Sequence, residues 1–516
     1  MSKKVKKSKK AKKPKKIQKK KKKLIKKKSV VKKKPVKKIL KKKAIKKSVK
    51  KILKKQIKSK KGPVKAKRRG KYIPQALRGM KDVLPEEVKN WNYFLKKATD
   101  LAEAYGFKKI MVPILEEQIL YLKSTGLTSD IVEKQMYQFT DRSRKKVVMR
   151  PELTPSIVRA YIERGMFNLP QPVKLFCFGP IFRYERPQAG RYRQFHQFNL
   201  EILGNEKPSV DAQLILFSQA LFNTLGIQIE IQVNSLGCPD CRKPYRSKLV
   251  SYFRSKQKWL CPDCQKRLKS NPLRILDCQN PDCKDLISQA PQLVDDLCPD
   301  CQSHFVKVLE YLDEANVIYK LNPYLVRGLD YYTKTVFEIW PERSEIKKQK
   351  QKKDENEEED EKKEKEIIVA PGSQSALGGG GRYDTLIESL GGRSAPAIGV
   401  AYGIERIIQE MKIQNIKIPK IRGPQIFLAQ IGEAACRRAL KLFEDLRQQG
   451  FKVIENLGKN SLKSQMEMAD KSGVKLTLII GQQEVLDKTI IIRNMHTGNQ
   501  EIVDQGKIAK ELKKRL

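Results

Sequence analysis

Apolar residues recur at helical spacing through WNYFLKKATDLAEAYGF, residues 91–107, which predicts an amphipathic helix ended by Gly106. The KKIMVPIL run after it, 108–115, reads as a strand whose Pro113 suits an edge or interface position, since its missing donor costs little there. Further strands are predicted at KKVVM (145–149), LFCFGPIFRY (175–184) and the stretch beginning at Arg193. That last stretch alternates. His196, Phe198, Leu200 and Ile202 share one parity; Phe195, Gln197, Asn199 and Glu201 share the other. In a strand these sets face opposite sides, so one face packs on helices and the other offers an amide and a carboxylate roughly 13 Å apart. With LFCFGPIFRY it predicts an antiparallel pair joined by an arginine-rich loop, with Arg183 at the end of the first strand.

The strand-like runs TKTVFEIW (333–340) and KEIIVAPG (365–372) flank RSEIKKQKQKKDENEEEDEKKEKE, a low-complexity charged segment at 343–366 that reads as a solvent loop on a hairpin. A boundary is expected at KIPKIRGP, 417–424. Beyond it QIFLAQI, FKVIEN and LTLIIG alternate with helical patterns, as in a compact α/β domain of about a hundred residues. The 516 residues suffice for two or three domains.

Charge divides the chain again. Of a formal net charge of +54, residues 1–70 supply +39 from 39 basic side chains and no acidic one; the other 446 residues carry 71 basic and 56 acidic groups. The lysine-rich stretch has too few apolar residues to offset its ordering entropy, so it reads either as a solvated, disordered extension or as a tether for polyanions. No apolar run of secretory-signal length follows its basic start, and no stretch approaches the ~20 apolar residues of a membrane span. Ten cysteines, mostly in close pairs, suit a reducing cytoplasm better than a secreted disulfide scaffold at this length.

Candidate chemistry lies between these extremes. GPIFRYERPQAGRYRQFHQFNLE, 179–201, holds Arg183, Arg186, Arg191 and Arg193 ahead of the alternating strand. Guanidinium groups give planar, permanently charged recognition of phosphate, so a phosphate-bearing substrate lying on a sheet is one reading and a half-polar strand with surface arginines is the other. MRPELTPS places Glu152 and Thr154 after a strand. VRGLDYYTKTVFE brings Arg327 beside Tyr331 and Tyr332, and APAIGVAYGIERII starts a helix carrying Glu405 and Arg406. Arg327 and Tyr332 have opposite strand parity, so a bulge or turn at Gly328 is expected if both serve one substrate. His196 lies on the packed parity and reads as structural, which leaves histidine general-base hydrolysis poorly supported.

On these runs the chain resembles the class II aminoacyl-tRNA synthetases, and among them the histidyl-tRNA synthetases. FKKIMVPILEE resembles the family's motif 1, residues 179–201 its motif 2 and GVAYGIERI its motif 3; RGLDYY and GGGGRYD (378–384) are similar to its two histidine-specific signatures. The likeness covers about 75–516 apart from the charged loop. It implies an α+β fold: an antiparallel-sheet class II catalytic domain at 71–420, a C-terminal α/β anticodon-binding domain at 421–516, and an extension at 1–70. It implies ATP-dependent ligation of L-histidine to tRNA(His) through a histidyl-adenylate, with Mg²⁺ accompanying ATP, in a cytoplasmic homodimer without membrane attachment.

By the resemblance, Arg183 and Glu185 in motif 2 and Arg406 in motif 3 bind ATP. Arg183, Arg327 and Arg406 are the catalytic cations, acting through preorganised electrostatics. Glu152, Thr154 and Gln197 face the α-amine of histidine, while Glu201, Tyr331 and Tyr332 line the imidazole pocket. A site built to pair a polar group rejects analogues lacking it by ~10⁴–10⁵. Without the resemblance, Glu152 reads equally as a helix-start carboxylate, Tyr332 as a core aromatic and GGGGRYD as a linker. GGGGRYD lacks the Lys-Ser/Thr of a P-loop; in the family it is backbone that approaches the ligand closely.

CPDC occurs at 238–241, 261–264 and 298–301, and CQNPDC at 278–283. The C-x₂-C-x₁₉-C-x₂-C spacing from Cys238 to Cys264 falls in a zinc-site range, with Cys278, Cys283, Cys298 and Cys301 as the other half. The four pairs could make one or two closed, structural Cys₄ zinc sites; isolated reduced thiols are the alternative. Cys177 and Cys436 read as small buried apolar residues. Two other functions compete. A synthetase-like regulatory subunit of histidine biosynthesis needs neither the C-terminal domain nor the full arginine set. A nucleic-acid-binding module built on the lysines and cysteine knuckles leaves the pocket motifs unexplained; the lysine tail would then serve only as an accessory site for tRNA or other polyanions.

Overall fold

The computed structural model describes residues 73–126, 129–187, 190–342, 376–419, 423–458 and 461–516. The lysine-rich stretch 1–70, the charged loop 343–366 and the KEIIVAPG run lie outside the described residues.

The first helix, α1 (Pro85–Ala104), starts earlier than the periodicity alone suggests, with proline in its first turn and Glu86 and Glu87 beside its N-terminus. Phe94, Ala98 and Ala102, spaced by four, form its buried stripe, and Gly106 follows with φ +81°, a conformation open to glycine. The expected strand over 108–115 is broken. Only β1 (Lys108–Lys109) joins the main sheet, and Leu115–Glu117 joins a separate three-stranded sheet. The cause is local: Pro113 has no N–H for a ladder, and the carbonyls of Val112 and Pro113 instead accept from the Arg150 guanidinium at 2.7 and 3.1 Å.

The main sheet then takes β2 (Val173–Phe182), β3 (Gln194–Leu203), β4 (Ile229–Ser235), β5 (Tyr319–Leu321), β6 (Thr333–Pro341), β7 (Gly378–Arg382) and β8 (Ala397–Gly403). Its spatial order is β1-β2-β3-β8-β7-β6-β4-β5, with only the two edge pairings parallel. The antiparallel β2–β3 pair matches the alternation in the sequence. The described partner of β6 is the GGGG run; the KEIIVAPG strand expected opposite it lies outside the described residues. The GGGG run is a central strand here, not a linker.

Phe198, Leu200 and Ile202 of β3, fully buried, join Phe337 and Ile339 of β6 and Ile398 and Val400 of β8 on one face of the sheet. That face packs on α1 and, later in the chain, on α3 (Pro208–Leu225) and α8 (Ile404–Ile413); the short helix α2 (Thr154–Glu163) belongs to the opposite side. Each such side chain removed from water contributes about 1.5–3 kcal/mol, which fixes the register of β3 and therefore what its other face presents.

Residues 238–314 form a helical insertion between β4 and β5: α4 (Pro239–Ser255), α5 (Pro262–Ser270), α6 (Pro281–Ile287) and α7 (Pro299–Glu314). Its cysteine pairs do not combine in chain order as the spacing suggests. Cys238 and Cys241 meet Cys298 and Cys301, while Cys261 and Cys264 meet Cys278 and Cys283. The reason is the 17-residue α4, which carries the chain about 21 Å from Cys241 to the helix end before Cys261 is reached.

Ile426–Gln430, Val453–Glu455 and Leu476–Ile480 form the expected parallel strands of a second sheet, completed by an antiparallel hairpin, Thr489–Asn494 and Gln500–Asp504, that the pattern does not suggest. No helix among the described residues is long and apolar enough to cross a membrane.

Candidate active site

The face of the main sheet opposite the apolar core is floored by glycine. Register aligns Glu201 with Gly399, Gly399 with Gly381, and Gly381 with Val336; the next row runs Asn199, Ala401, Gly379, Glu338. Small residues thus separate carboxylates on β3 and β6, three strand spacings or roughly 14 Å apart. The trough depends on hydrogen at these positions. A Cβ on Gly399 would lie 1.7 Å from Glu201 Oε2, and one on Gly379 would lie 2.6 Å from Arg327 Nη1.

Glu201 is fully buried at one wall. Its Oε1 accepts from Thr154 Oγ1 at 2.6 Å and Asn199 Nδ2 at 3.4 Å, and its Oε2 accepts from Tyr383 Oη at 2.5 Å. Burial pushes its pKa up to about 7 against the pull of these donors, and the Glu152 charge adds to the rise. Glu152 follows the strand Lys146–Met149 and precedes α2. Its two oxygens accept from Thr125 Oγ1 and Tyr331 Oη, each at 2.9 Å. Burial raises its pKa too, opposed by the Arg183 charge and these hydroxyls.

Arg183 follows directly on β2, as its position in the alternation implies. Its Nε donates to the Pro151 carbonyl at 2.8 Å, and its guanidinium stands 5.4 Å from the Phe195 ring centre. Arg327 and Tyr332 are outside any strand: a bend at Gly328 and the turn after it precede β6, as their parity required, and bring the guanidinium 5.6 Å from the Tyr332 ring centre. Arg327 is paired with Glu338; burial opposes its charge, but Glu338 and Tyr332 more than offset that and raise its pKa. Arg406, in the first turn of α8, donates Nη1 to Ala376 O at 2.8 Å and Nε to Gly190 O at 3.2 Å. Burial lowers its pKa, and the neighbouring charges of Arg191 and Arg183 lower it further. Glu185 pairs with Arg191 at 3.7 Å. One region thus gathers Arg183, Arg327 and Arg406 with both buried carboxylates, since Arg183 and Arg327 act on Glu152 and Arg183 acts on Arg406.

Among the described residues, Gln197 Oε1, Asn199 Oδ1 and Arg327 Nε are buried without a hydrogen-bond partner. Other such atoms lie elsewhere, on Arg159 and Arg493 among them, so they do not by themselves mark a site; the three here are groups that a polar ligand in the trough would engage. His196 is engaged elsewhere: its Nδ1 lies 2.8 Å from Glu405 Oε1, and its ring meets Trp91 edge-on. His304 Nε2 lies 2.9 Å from Asp211 Oδ2, in a buried cluster with Arg382.

Sequence reasoning missed three members of this site. Tyr383 was within reach, one residue after the glycine run. Glu338 shares parity with Val336 on β6, which was a usable signal. Thr125 carries none, because only the fold brings it to Glu152.

The family model described as Histidyl-tRNA synthetase matches residues 79–239, and that described as Anticodon binding domain matches 425–515. The histidine–tRNA ligase of Desulforamulus reducens is 41% identical over 407 residues, 79% of this chain and 91% of that protein. The crystal structure of apo S. aureus histidyl-tRNA synthetase aligns with a TM-score of 0.67 at 33% identity, covering 85% of this chain and 99% of that one. An ATP phosphoribosyltransferase regulatory subunit/histidyl-tRNA synthetase from Bacillus halodurans C aligns at a TM-score of 0.53 and 18% identity over 80% of this chain and 98% of that one, which shows a shared fold.

Proposed function

The chain belongs to the histidyl-tRNA synthetase family, and from that premise we infer how its trough performs the ligation of histidine to tRNA. The observation that carries the reading is Glu201: a buried carboxylate held by three donors over a glycine floor, across from a fixed cation.

Glu201 accepts the imidazole N–H of histidine, with Tyr383 and Thr154 holding its oxygens in place and Tyr331 and Tyr332 walling the ring. Glu152 and the open oxygen of Gln197 receive the α-ammonium group, with Thr154 beside them. The histidine carboxylate then points along the trough toward Arg183 and Arg327. ATP enters with Mg²⁺ as its counter-ion. Arg183, its plane fixed through Nε, binds the α-phosphate and the attacking carboxylate; Arg327 neutralises charge building on the same phosphorus; Arg406 and the Glu185–Arg191 pair hold the distal phosphates and adenosine. One carboxylate oxygen bonds to the α-phosphorus, the bond to the β-phosphate oxygen breaks, and pyrophosphate leaves. A terminal ribose hydroxyl of tRNA then attacks the carbonyl carbon, and AMP departs. The arginines act as preorganised charge, with little reorganisation to make as the reaction proceeds.

Several wider features rest on the same footing. Domain limits at 71–420 and 421–516 are supported by the five-stranded sheet, whose strands all come after 421 while those of the other two sheets come before 420; the second domain serves the tRNA anticodon. Met111, Ile114, Leu115 and Ile119 are exposed along the motif 1 segment, an apolar stretch suited to a second copy of the chain in a homodimer. The lysine-rich 1–70 stretch tethers tRNA or other polyanions. Ten free cysteines suit a reducing cytoplasm, and the eight clustered ones suit structural zinc. The test is histidine-dependent exchange of labelled pyrophosphate into ATP. Exchange specific to histidine is expected; its absence in intact protein would leave the regulatory-subunit reading standing instead.

A further inference from the structure

Two quartets of thiols lie in the helical insertion, outside the substrate trough. In each, the four sulfurs are all within 4.8 Å of one another, and every cysteine is free. Four sulfurs around one zinc at 2.3 Å sit about 3.8 Å apart. Cys238 and Cys241 Sγ are 3.6 Å apart, and Cys261 and Cys278 Sγ are 3.8 Å apart, against about 2.05 Å for a disulfide. Backbone amides cross between the pairs: Cys298 N–H donates to Cys241 Sγ at 3.1 Å, and Cys261 N–H donates to Cys283 Sγ at 3.3 Å. The thiols therefore already have the spacing of a closed tetrathiolate shell.

The segment between Cys264 and Cys278 leads back to the substrate. It is made of α5 from Cys264 onward, a helix of nine residues in all, and a single 3₁₀ turn, Pro272–Ile275, both too short to hold themselves together in water. From it Asn271 Nδ2 donates to Asp330 Oδ1 at 2.9 Å, Arg274 Nη2 donates to Asp130 Oδ2 at 2.5 Å, and Arg267 pairs with Asp130 at 3.7 Å. Asp330 directly precedes Tyr331, and its carboxylate lies so near Gly126 that a Cβ there would be 2.3 Å from Oδ2. Gly126 directly follows Thr125. Thr125 and Tyr331 are the two hydroxyl donors to Glu152.

We infer that the quartets are two separate zinc sites, and that the Cys261/Cys264/Cys278/Cys283 site positions the Glu152 end of the histidine pocket by bracing the finger that grips Asp330 and Asp130. The positioning half rests on the pocket assignment above. Zinc fixes both ends of the finger; the finger fixes two loops; the loops set the two hydroxyls on the carboxylate. Asn271, Arg274 and the cysteines are positioning residues and touch no substrate.

The full chain decides this. Metal analysis should find two zinc ions per chain, with Cys241→Ser and Cys278→Ser each retaining one, and the cobalt-substituted protein should show the intense visible bands of tetrahedral thiolate coordination. Histidine binding, measured directly by calorimetry so that catalysis is not needed, should weaken about three- to tenfold in Asn271→Ala, the worth of one hydrogen bond, while ATP affinity stays within about twofold. Asn271→Ala keeps both ions, which separates the brace from loss of the fold. Fewer than two ions, or cobalt without thiolate bands, overturns the sites. Two ions with unchanged histidine affinity in both Asn271→Ala and Cys278→Ser overturns the positioning role. Histidine binding without pyrophosphate exchange in the wild type would sink the proposed activity while leaving these outcomes decisive.

Discussion

Replacing Glu201 with Gln separates what this carboxylate costs the fold from what it gives the substrate. Burial lifts its pKa to about 7, from an ordinary value of 4.5. Between those values the folded protein keeps a proton that the unfolded chain has released, so stability falls as pH rises through the window and stays lower above it. At 1.36 kcal/mol per unit the penalty is about 3 kcal/mol at pH 8 and absent near pH 4. Glutamine has no proton to lose, but its amide group fits the Tyr383 hydroxyl less well than the carboxylate oxygen does, at about 1 kcal/mol. Glu201→Gln should therefore stabilise the unliganded protein by about 2 kcal/mol at pH 8 and not at pH 4. Unfolding followed by tryptophan fluorescence reads the right region, since Trp91, Trp259 and Trp340 all precede the C-terminal domain. The same variant should raise KM for histidine in pyrophosphate exchange roughly 10- to 150-fold, the value of a hydrogen bond to a charged group, with KM for ATP little changed. A variant less stable than wild type at both pH values, or with an unaltered histidine KM, refutes the assignment of Glu201.

Three further outcomes are expected. Arg327→Ala should slow exchange by roughly 10²–10³, comparable with removing one preorganised oxyanion donor, and near-normal turnover would contradict its role. Gly399→Ala should displace the Glu201 carboxylate, whose Oε2 would lie 1.7 Å from the new methyl, and raise KM for histidine about tenfold or more through the loss of its hydrogen bonds; an unchanged KM would mean the floor does not touch the substrate. Removing residues 1–70 should leave exchange intact while weakening tRNA binding at low salt, with the log–log salt slope flattening by roughly 0.7–0.9 for each phosphate no longer neutralised; equal slopes would remove the tether.

How far the sequence reached depended on the range of the interactions. The period-two alternation after Arg193 was legible because β3 has one apolar face, and that face alone fixes where Asn199 and Glu201 point. Arg183 and Arg406 were legible as the residues just after one strand and just inside a helix. The chemistry of Glu201, by contrast, comes from Thr154, 47 residues away, and Tyr383, 182 residues away, a closeness that no local pattern encodes. The cysteines carry the same lesson. Their spacing favoured adjacent pairs, but a single long helix sent the chain away and nested them. The break at Pro113 was half-visible: proline signalled the edge, and only Arg150, drawing carbonyls out of the ladder, ended the strand.

The glycine floor also bears on how this pocket can change. A substitution can remove a side chain from a wall and enlarge a hollow, but at Gly379, Gly381 and Gly399 there is nothing left to remove, so every replacement can only shrink the space. An inhibitor seated against that backbone would meet a surface that cannot be trimmed away from it, and resistance would have to come through the buried walls, where Thr125, Tyr331 and Tyr383 stand.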